Sequence, residues 1–201
     1  LCEVVPAGAG SFERIGVRRD PAATALFVNA LRECVTARSR LHIPPFFLDE
    51  GVHGLMQQGA TMFPVALALG ATFNPELVRQ IFTVVAREAR ARGTTWILGP
   101  NLDLAREPRW GRMDEMYGED PYLVSRLGVA AVQGQQGATR PISAEHVLST
   151  AKHFAAHGQP ESGANGGPVH VSERGLRGEF FPPFEAAVRE ASVGAVMAAY
   201  N

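Results

Sequence analysis

Three times the sequence sets a short polar residue directly before a proline at the head of an amphipathic run: Asp20-Pro21, Asn74-Pro75 and Asp120-Pro121. A side-chain oxygen at the cap accepts from the first free backbone N–H groups, and proline suits the first helical position, where no amide partner is needed. After Pro75, the residues Leu77, Val78, Ile81, Phe82, Val85 and Ala89 recur at helical spacing, with Arg79, Arg87 and Glu88 elsewhere on the wheel. That helix should end near Gly93.

Short apolar segments of strand length alternate with the helices: IPPFFLD at 43–49, TTWILGP at 94–100, HVLSTAKHF at 146–154 and VGAVMAAYN at 193–201. Near-continuous apolar character fits strands buried on both faces, as in a parallel sheet, and strand–helix alternation implies an α/β fold. Each segment ends in polar residues: Asp49 and Glu50, Asn101 and Asp103, Lys152 and His153, Tyr200 and Asn201. A (β/α)8 barrel builds its site from the C-terminal strand ends, and a doubly wound open sheet follows a similar rule. No GxGxxG opens a helix after a strand and no GxxxxGK[ST] occurs, which favours the barrel. A complete barrel takes about 250 residues, so the 201 residues are expected to form one partial, TIM-barrel-like domain spanning 1–201. Its open strand edge invites self-association.

A composition 46% hydrophobic and 19% charged supports one sizeable core. The formal net charge of -1 gives no field that would draw nucleic acid or an anionic membrane. No apolar run approaches the roughly 18 residues a membrane span needs. The expected chain is soluble, binds neither nucleic acid nor membrane, and needs no cofactor. Its compartment stays open between cytoplasm and a secreted or periplasmic location. Leu1 opens no basic-then-apolar leader, so the start reads as cut or processed. Cys2 and Cys34 are too few for a disulfide framework; they are expected as free thiols, with a single bridge as the alternative.

The stretch WGRMDEMYGEDP at 110–121 gathers four carboxylates and Arg112 beside Trp110. Arg112 can offer its fork of donors to hydroxyls or to a carboxylate, with the indole as a plane for a sugar ring, or it can pair internally with Glu115 or Glu119. Lys152 and His153 are costly to bury without partners, so they form either a satisfied structural pair or a ligand-binding one. Glu50 is open between a catalytic group, a hydroxyl acceptor and a partner neutralising Lys152 or Arg112. His153, His157 and His170 raise a metal site, but HFAAHGQP follows a strand rather than lining a helix face, so no metal is expected. No GxSxG suggests a serine nucleophile. The Gly-rich loop QPESGANGGP at 159–168 is either a surface turn or faces a ligand.

Taken in order, IPPFFLDEGVHGL, ATMFPVALALGATFNPELV, AREPRWGRMDEMYGEDPYL, STAKHFAAHG and VSERGLRGEFFPPFEAAVREASVGAVMAAYN resemble the N-terminal domain of glycoside hydrolase family 3 over nearly the whole chain. The resemblance implies a retaining β-glucosidase or β-xylosidase acting on terminal non-reducing residues of oligosaccharides or aryl β-glycosides. It implies that Glu50, Arg112, Lys152, His153 and Tyr200 hold hydroxyls of the terminal sugar, while Glu115, Glu119 and Asp120 brace the loop and cap the next helix. The family's nucleophile is the aspartate of a Ser-Asp-Trp or Ser-Asp-Tyr element that follows the YN stretch, and no Ser-Asp-aromatic occurs here. No catalytic residue is therefore assigned within the chain, and the acid/base is expected from a later domain or loop. Glu50 stands where many β-glucosidases of the family have Asp; the extra methylene reaches towards C6 of a hexose and leans towards xylose. KHFAAHG lacks the proline of the β-hexosaminidase branch's KHFPGHG. Two other readings stay open: a non-catalytic sugar-binding or scaffold module on the same barrel, and an unrelated metal-dependent barrel hydrolase in which His153 and His157 share a metal.

Overall fold

The computed structural model describes Val5 and residues 7–201. All three anticipated caps form. Asp20 opens α1 (Pro21–Arg38), Asn74 opens α3 (Pro75–Ala91) and Asp120 opens α4 (Pro121–Gln136), each side chain accepting from a backbone N–H three residues on. Helix α3 ends as the spacing predicts: Arg92 caps it and Gly93 turns the chain at φ +92°. It buries Val78, Ile81, Phe82, Val85, Ala86 and Ala89, while Leu77 lies outside the stripe and is exposed.

Strands β1 (Ser11–Glu13), β2 (Phe46–Asp49), β3 (Trp96–Ile97), β4 (Leu148–Phe154) and β5 (Ala195–Ala198) form one sheet in sequence order, every neighbouring pair parallel. A doubly wound sheet would reverse its strand order at a switch point. Here the order never reverses, so the sheet is the parallel half-barrel of a TIM-barrel-like α/β fold. β1 carries no long apolar run and was not legible as a strand. Its pairing with β2 brings it in, Ser11 opposite Phe46.

The helices cover the outside of the sheet. Val28, Leu31 and Val35 of α1 pack with Phe47, whereas α3, α4 and the short α2 (Ala66–Gly70) share the main core with Ile97, Val147 and Ala151. Close approach of α4 to α3 requires Gly134, because a Cβ there would overlap the Arg79 carbonyl. At the end of α4 the Gln136 carboxamide accepts from the N–H groups of Ser149 (3.2 Å) and Gly194 (2.9 Å) and donates to the Ser192 carbonyl (3.0 Å), stitching helix, β4 and β5 together. A three-residue turn of helix, α5 (Glu173–Gly175), widens into a single π turn (Leu176–Phe180) before α6 (Pro182–Ala191) leads into β5.

Two expectations need correction. β4 is buried along most of its length, but β5 alternates between half-buried and exposed residues, Val196 being 46% exposed, because only β4 borders it among the described residues. Cys34 is disulfide-bonded rather than a free thiol; Cys2 lies outside the described residues. No helix among the described residues is long and apolar enough to cross a membrane.

Gly70 of α2 lies against the loop that follows β3, and a Cβ there would overlap the Tyr117 carbonyl oxygen. Backbone cannot yield as a side chain can, so Gly70→Ala is expected to cost about 1–3 kcal/mol. Loss of the α4 cap in Asp120→Ala is expected to cost about 1 kcal/mol. Urea unfolding midpoints check both, and an unshifted midpoint for Gly70→Ala would contradict the contact.

Candidate active site

Polar residues gather at the C-terminal rim of the sheet because each strand ends there. Glu50 follows β2, Asn101 and Asp103 follow β3, Lys152 and His153 lie near the end of β4, and Tyr200 follows β5. Successive side chains of a regular strand point to opposite faces. At Lys152 and His153 the register between β4 and β5 shifts, and both side chains are buried within the rim. The Lys152–His153 and Phe154–Ala155 peptide bonds are cis.

The structure brings all five expected residues into one cluster. Lys152 Nζ donates to Glu50 Oε2 at 2.9 Å, with the lysine side chain 3% exposed and the carboxylate 25%. Pairing with Lys152 is among the alternatives open for Glu50, and it forms through Oε2. Arg112 donates from Nε and Nη2 to the two oxygens of Glu115, at 2.6 and 2.8 Å, which is the internal pair its sequence allowed. Tyr200, half exposed, lays its ring against His153 and His157, with centroids 5.1 and 4.5 Å away.

Several further residues complete the site. His153 Nδ1 lies 2.7 Å from Asp103 Oδ2, both side chains fully buried, and His153 Nε2 is 3.4 Å from Arg112 Nη2. Asn101 donates to Glu115 Oε2 (3.5 Å) and accepts from the Asp103 backbone N–H (2.8 Å). Asp103 and Asn101 were visible as polar strand-end residues, but no spacing rule tied them to His153. His157 and Asn165 were legible only as a possible metal ligand and as part of a loop.

His157 is enclosed by aromatic edges. The rings of Trp110, His153 and Tyr200 lie within 4.8 Å of its centroid, and neither of its nitrogens has a hydrogen-bond partner by distance and angle among the described residues. Burial is the main cause that holds its pKa below the ordinary imidazole value, so it stays neutral at neutral pH. Among the described residues no three ligating side chains are grouped to hold a metal ion.

Trp110 does not offer the open plane that the sequence suggested. It is 5% exposed, its ring carries the Arg112 guanidinium at 4.9 Å, and its Nε1 donates to Asn165 Oδ1 at 3.0 Å. The indole is scaffold, and through Asn165 it ties the loop at 159–168 to the arginine loop. Arg106 anchors the far side of that loop by pairing with Glu179 of the π turn. Asp120 caps α4, as expected, through a 2.7 Å bond from the Leu123 N–H.

Charge within the cluster is paired internally. Burial would lift the Glu115 carboxyl, but the Arg112 fork, the charges of Arg112 and Lys152 and the Asn101 amide outweigh it and hold the pKa below the usual range. The Glu115 hydrogen bonds raise the Arg112 pKa in turn. A pocket whose cations are already neutralised has no need of an anionic ligand. It keeps unused directional capacity: Lys152 has three N–H donors, and Arg112 Nη1 makes no hydrogen bond among the described residues.

Comparison with known proteins gives the cluster its context. A sequence model of the glycosyl hydrolase family 3 N terminal domain matches residues 14–201. A β-xylosidase of Formosa agariphila is 47% identical over 168 residues, covering 80% of this chain and 23% of the relative. The structure of a β-glucosidase from Erythrobacter marinus superposes with a TM-score of 0.94 at 39% identity, over 96% of this chain and 26% of that one. A β-glucosidase from Listeria innocua, solved in complex with glucose, superposes with a TM-score of 0.86 at 38% identity, over 96% of this chain and 25% of that one. The chain thus spans about a quarter of the length of the relatives it matches. With the family match running through every strand end that builds the cluster, the chain belongs to glycosyl hydrolase family 3, in its N-terminal domain.

Proposed function

We propose that the cluster binds the terminal non-reducing sugar of a β-glucoside or β-xyloside, and that residues 1–201 are part of a single (β/α)8 domain serving a retaining glycosidase. The observation that carries this reading is a set of charged groups, buried Lys152 with half-buried Glu50, Arg112 and Glu115, which neutralise one another yet keep donors and acceptors in reserve. A neutral ring of hydroxyls fits such a set better than an anion or an apolar ligand. Each hydrogen bond from a sugar hydroxyl to a charged group is worth roughly 1.5–3 kcal/mol. Names of the relatives, β-xylosidase and β-glucosidase, support the same substrate class.

Catalysis in this reading needs groups outside the 201 residues. A retaining mechanism uses a carboxylate nucleophile and a separate acid/base, and no Ser-Asp-aromatic element occurs in the sequence. Glu50 is held by Lys152 as a binding group. The 201-residue chain is expected to show no turnover of 4-nitrophenyl β-glucoside or β-xyloside, whereas the protein extended to the length of its relatives should hydrolyse at least one of them. Turnover by the short chain that is abolished in Glu50→Gln would overturn this division of labour.

Glu50 also bears on sugar preference. Its side chain, one methylene longer than aspartate, reaches towards the place of a hexose C6, which favours xylose. One methylene of misfit discriminates by about tenfold or more. In the extended protein, Glu50→Asp is expected to shift the ratio of kcat/KM for glucoside over xyloside upward by about that factor, and an unchanged ratio would remove Glu50 from specificity.

The open side of the sheet suggests behaviour as well as chemistry. Phe154, Phe181, Phe184, Val188 and Val196 line an apolar groove of about 550 Å³ beside β5. We expect the isolated chain to self-associate there, because unpaired strand edges and exposed apolar patches seek partners. Light scattering after size exclusion should show species above the monomer mass of 21.6 kDa that Val196→Lys returns to monomer.

A further inference from the structure

Five residues of the cluster close into a ring of hydrogen bonds and polar contacts. Arg112 donates to Glu115, Glu115 accepts from Asn101, Asn101 accepts from the backbone N–H of Asp103, Asp103 faces His153, and His153 returns to Arg112. The ring joins three separate chain segments: the turn after β3, the loop carrying Trp110 and Arg112, and the end of β4.

We infer that this ring makes Asp103 a positioning residue that fixes His153 as the neutral tautomer with its proton on Nδ1, so that Nε2 is presented as a hydrogen-bond acceptor. A carboxylate oxygen 2.7 Å from Nδ1 accepts, which places the proton on that nitrogen. A guanidinium has donors only, so the Arg112 Nη2 at 3.4 Å from Nε2 requires a lone pair there. A proton on Nε2 would set N–H against N–H and put a second positive charge beside Arg112. The imidazole cannot escape by turning over, because both it and Asp103 are fully buried and His153 is flanked by the His157 and Tyr200 rings. His157, neutral through its own burial, brings no competing charge to this side.

The consequence for recognition rests on the sugar-binding reading. Lys152 and Arg112 can only donate, and Glu50 accepts, so an accepting Nε2 adds a second acceptor beside Arg112, facing the same Nη2 that donates to Glu115. A ligand hydroxyl replacing the long Arg112–His153 contact must then act as the donor to His153. Neighbouring hydroxyls that donate to Nε2 and accept from Arg112 are what a polyol offers and a carboxylate or phosphate does not.

The test reads the ring nitrogens directly. Long-range 15N–1H NMR of the 201-residue chain, with the His153 signals identified by their loss in His153→Gln, should show at neutral pH a protonated Nδ1 and a bare Nε2. A proton on Nε2, alone or on both nitrogens, overturns the inference. In Asp103→Ala, a folded chain should show mixed tautomers for His153, and an unchanged Nδ1–H tautomer would show that Asp103 does not set it. Should that variant fail to fold, the spectrum of the unaltered chain still decides. In the extended protein the same substitution should lower kcat/KM by at least about tenfold, as is usual when the partner that orients a working imidazole is removed. The tautomer is measured without sugar, so absence of glycosidase activity would fail the functional reading and leave this one standing.

Discussion

The burial of Lys152 is the constraint around which the rim is arranged. An ammonium 3% exposed is tolerated only with a charge partner in hydrogen-bonding reach, and Glu50 supplies it from the rim of β2, beyond the intervening β3 and across 102 residues of sequence. Stripping the carboxylate from such a pair costs about 3–5 kcal/mol, because the remaining charge is left in a medium that cannot solvate it. The pair therefore fixes the turn after β2 relative to β4. Arg112 and Glu115 repeat the arrangement one loop further round, and the Asn101 amide joins Glu115 to the turn just after β3. Charged residues that would be liabilities singly become a rigid framework when each is answered, Lys152 by another strand end and Arg112 from within its own loop.

That framework depends on close backbone approaches elsewhere. The loop bearing Arg112 is held from below by Gly70 against the Tyr117 carbonyl, from the side by Arg106 pairing with Glu179, and from above by Trp110 bonded to Asn165. Gly70 belongs to the connection after β2, and Glu179 and Asn165 both belong to the connection after β4. The loop is thus positioned by packing rather than by its own secondary structure, which amounts to two short 3-10 turns, Pro108–Trp110 and Met113–Glu115.

Local rules carried the fold a long way. The Asp-Pro and Asn-Pro caps, the stripe of α3 and the apolar strands each depend on residues within a few positions of one another, and all appear where the spacing put them. β1 escaped because Ser11–Glu13 has no strand pattern of its own and exists through pairing with β2. The burial of β5 was overestimated because apolar composition reports what a strand can cover, not whether anything covers it. In the cluster, Glu50, Arg112, Lys152, His153 and Tyr200 stood out through family motifs and strand-end positions. Asp103, His157 and Asn165 did not, since their significance lies in distances of 2.7–4.8 Å between residues 4 to 55 positions apart. The Trp110 plane was misjudged for the same reason: a sequence shows an aromatic ring beside an arginine, but not that the guanidinium and a buried histidine already occupy its faces and edges.

A covered indole changes what kind of recognition the rim can perform. With the indole covered and Tyr200 the exposed aromatic ring of the cluster, discrimination rests mainly on hydrogen-bond polarity and charge. Glu50, Glu115 and Asp103 bring three carboxylates against the two cations Lys152 and Arg112, and with His153 as the proposed neutral tautomer the cluster would keep one negative charge in excess. An anionic ligand would meet that excess unfavourably, and a neutral sugar would feel little of it. Glycoside cleavage builds positive charge on the ring as the bond to the leaving group breaks. In the proposed reaction the excess carboxylate would interact more strongly with that oxocarbenium-like state than with the resting sugar, and only such a difference accelerates a reaction. In that proposed reaction a neutral His153 would serve the catalytic electrostatics too: a proton on Nε2 would cancel the excess charge as well as the acceptor.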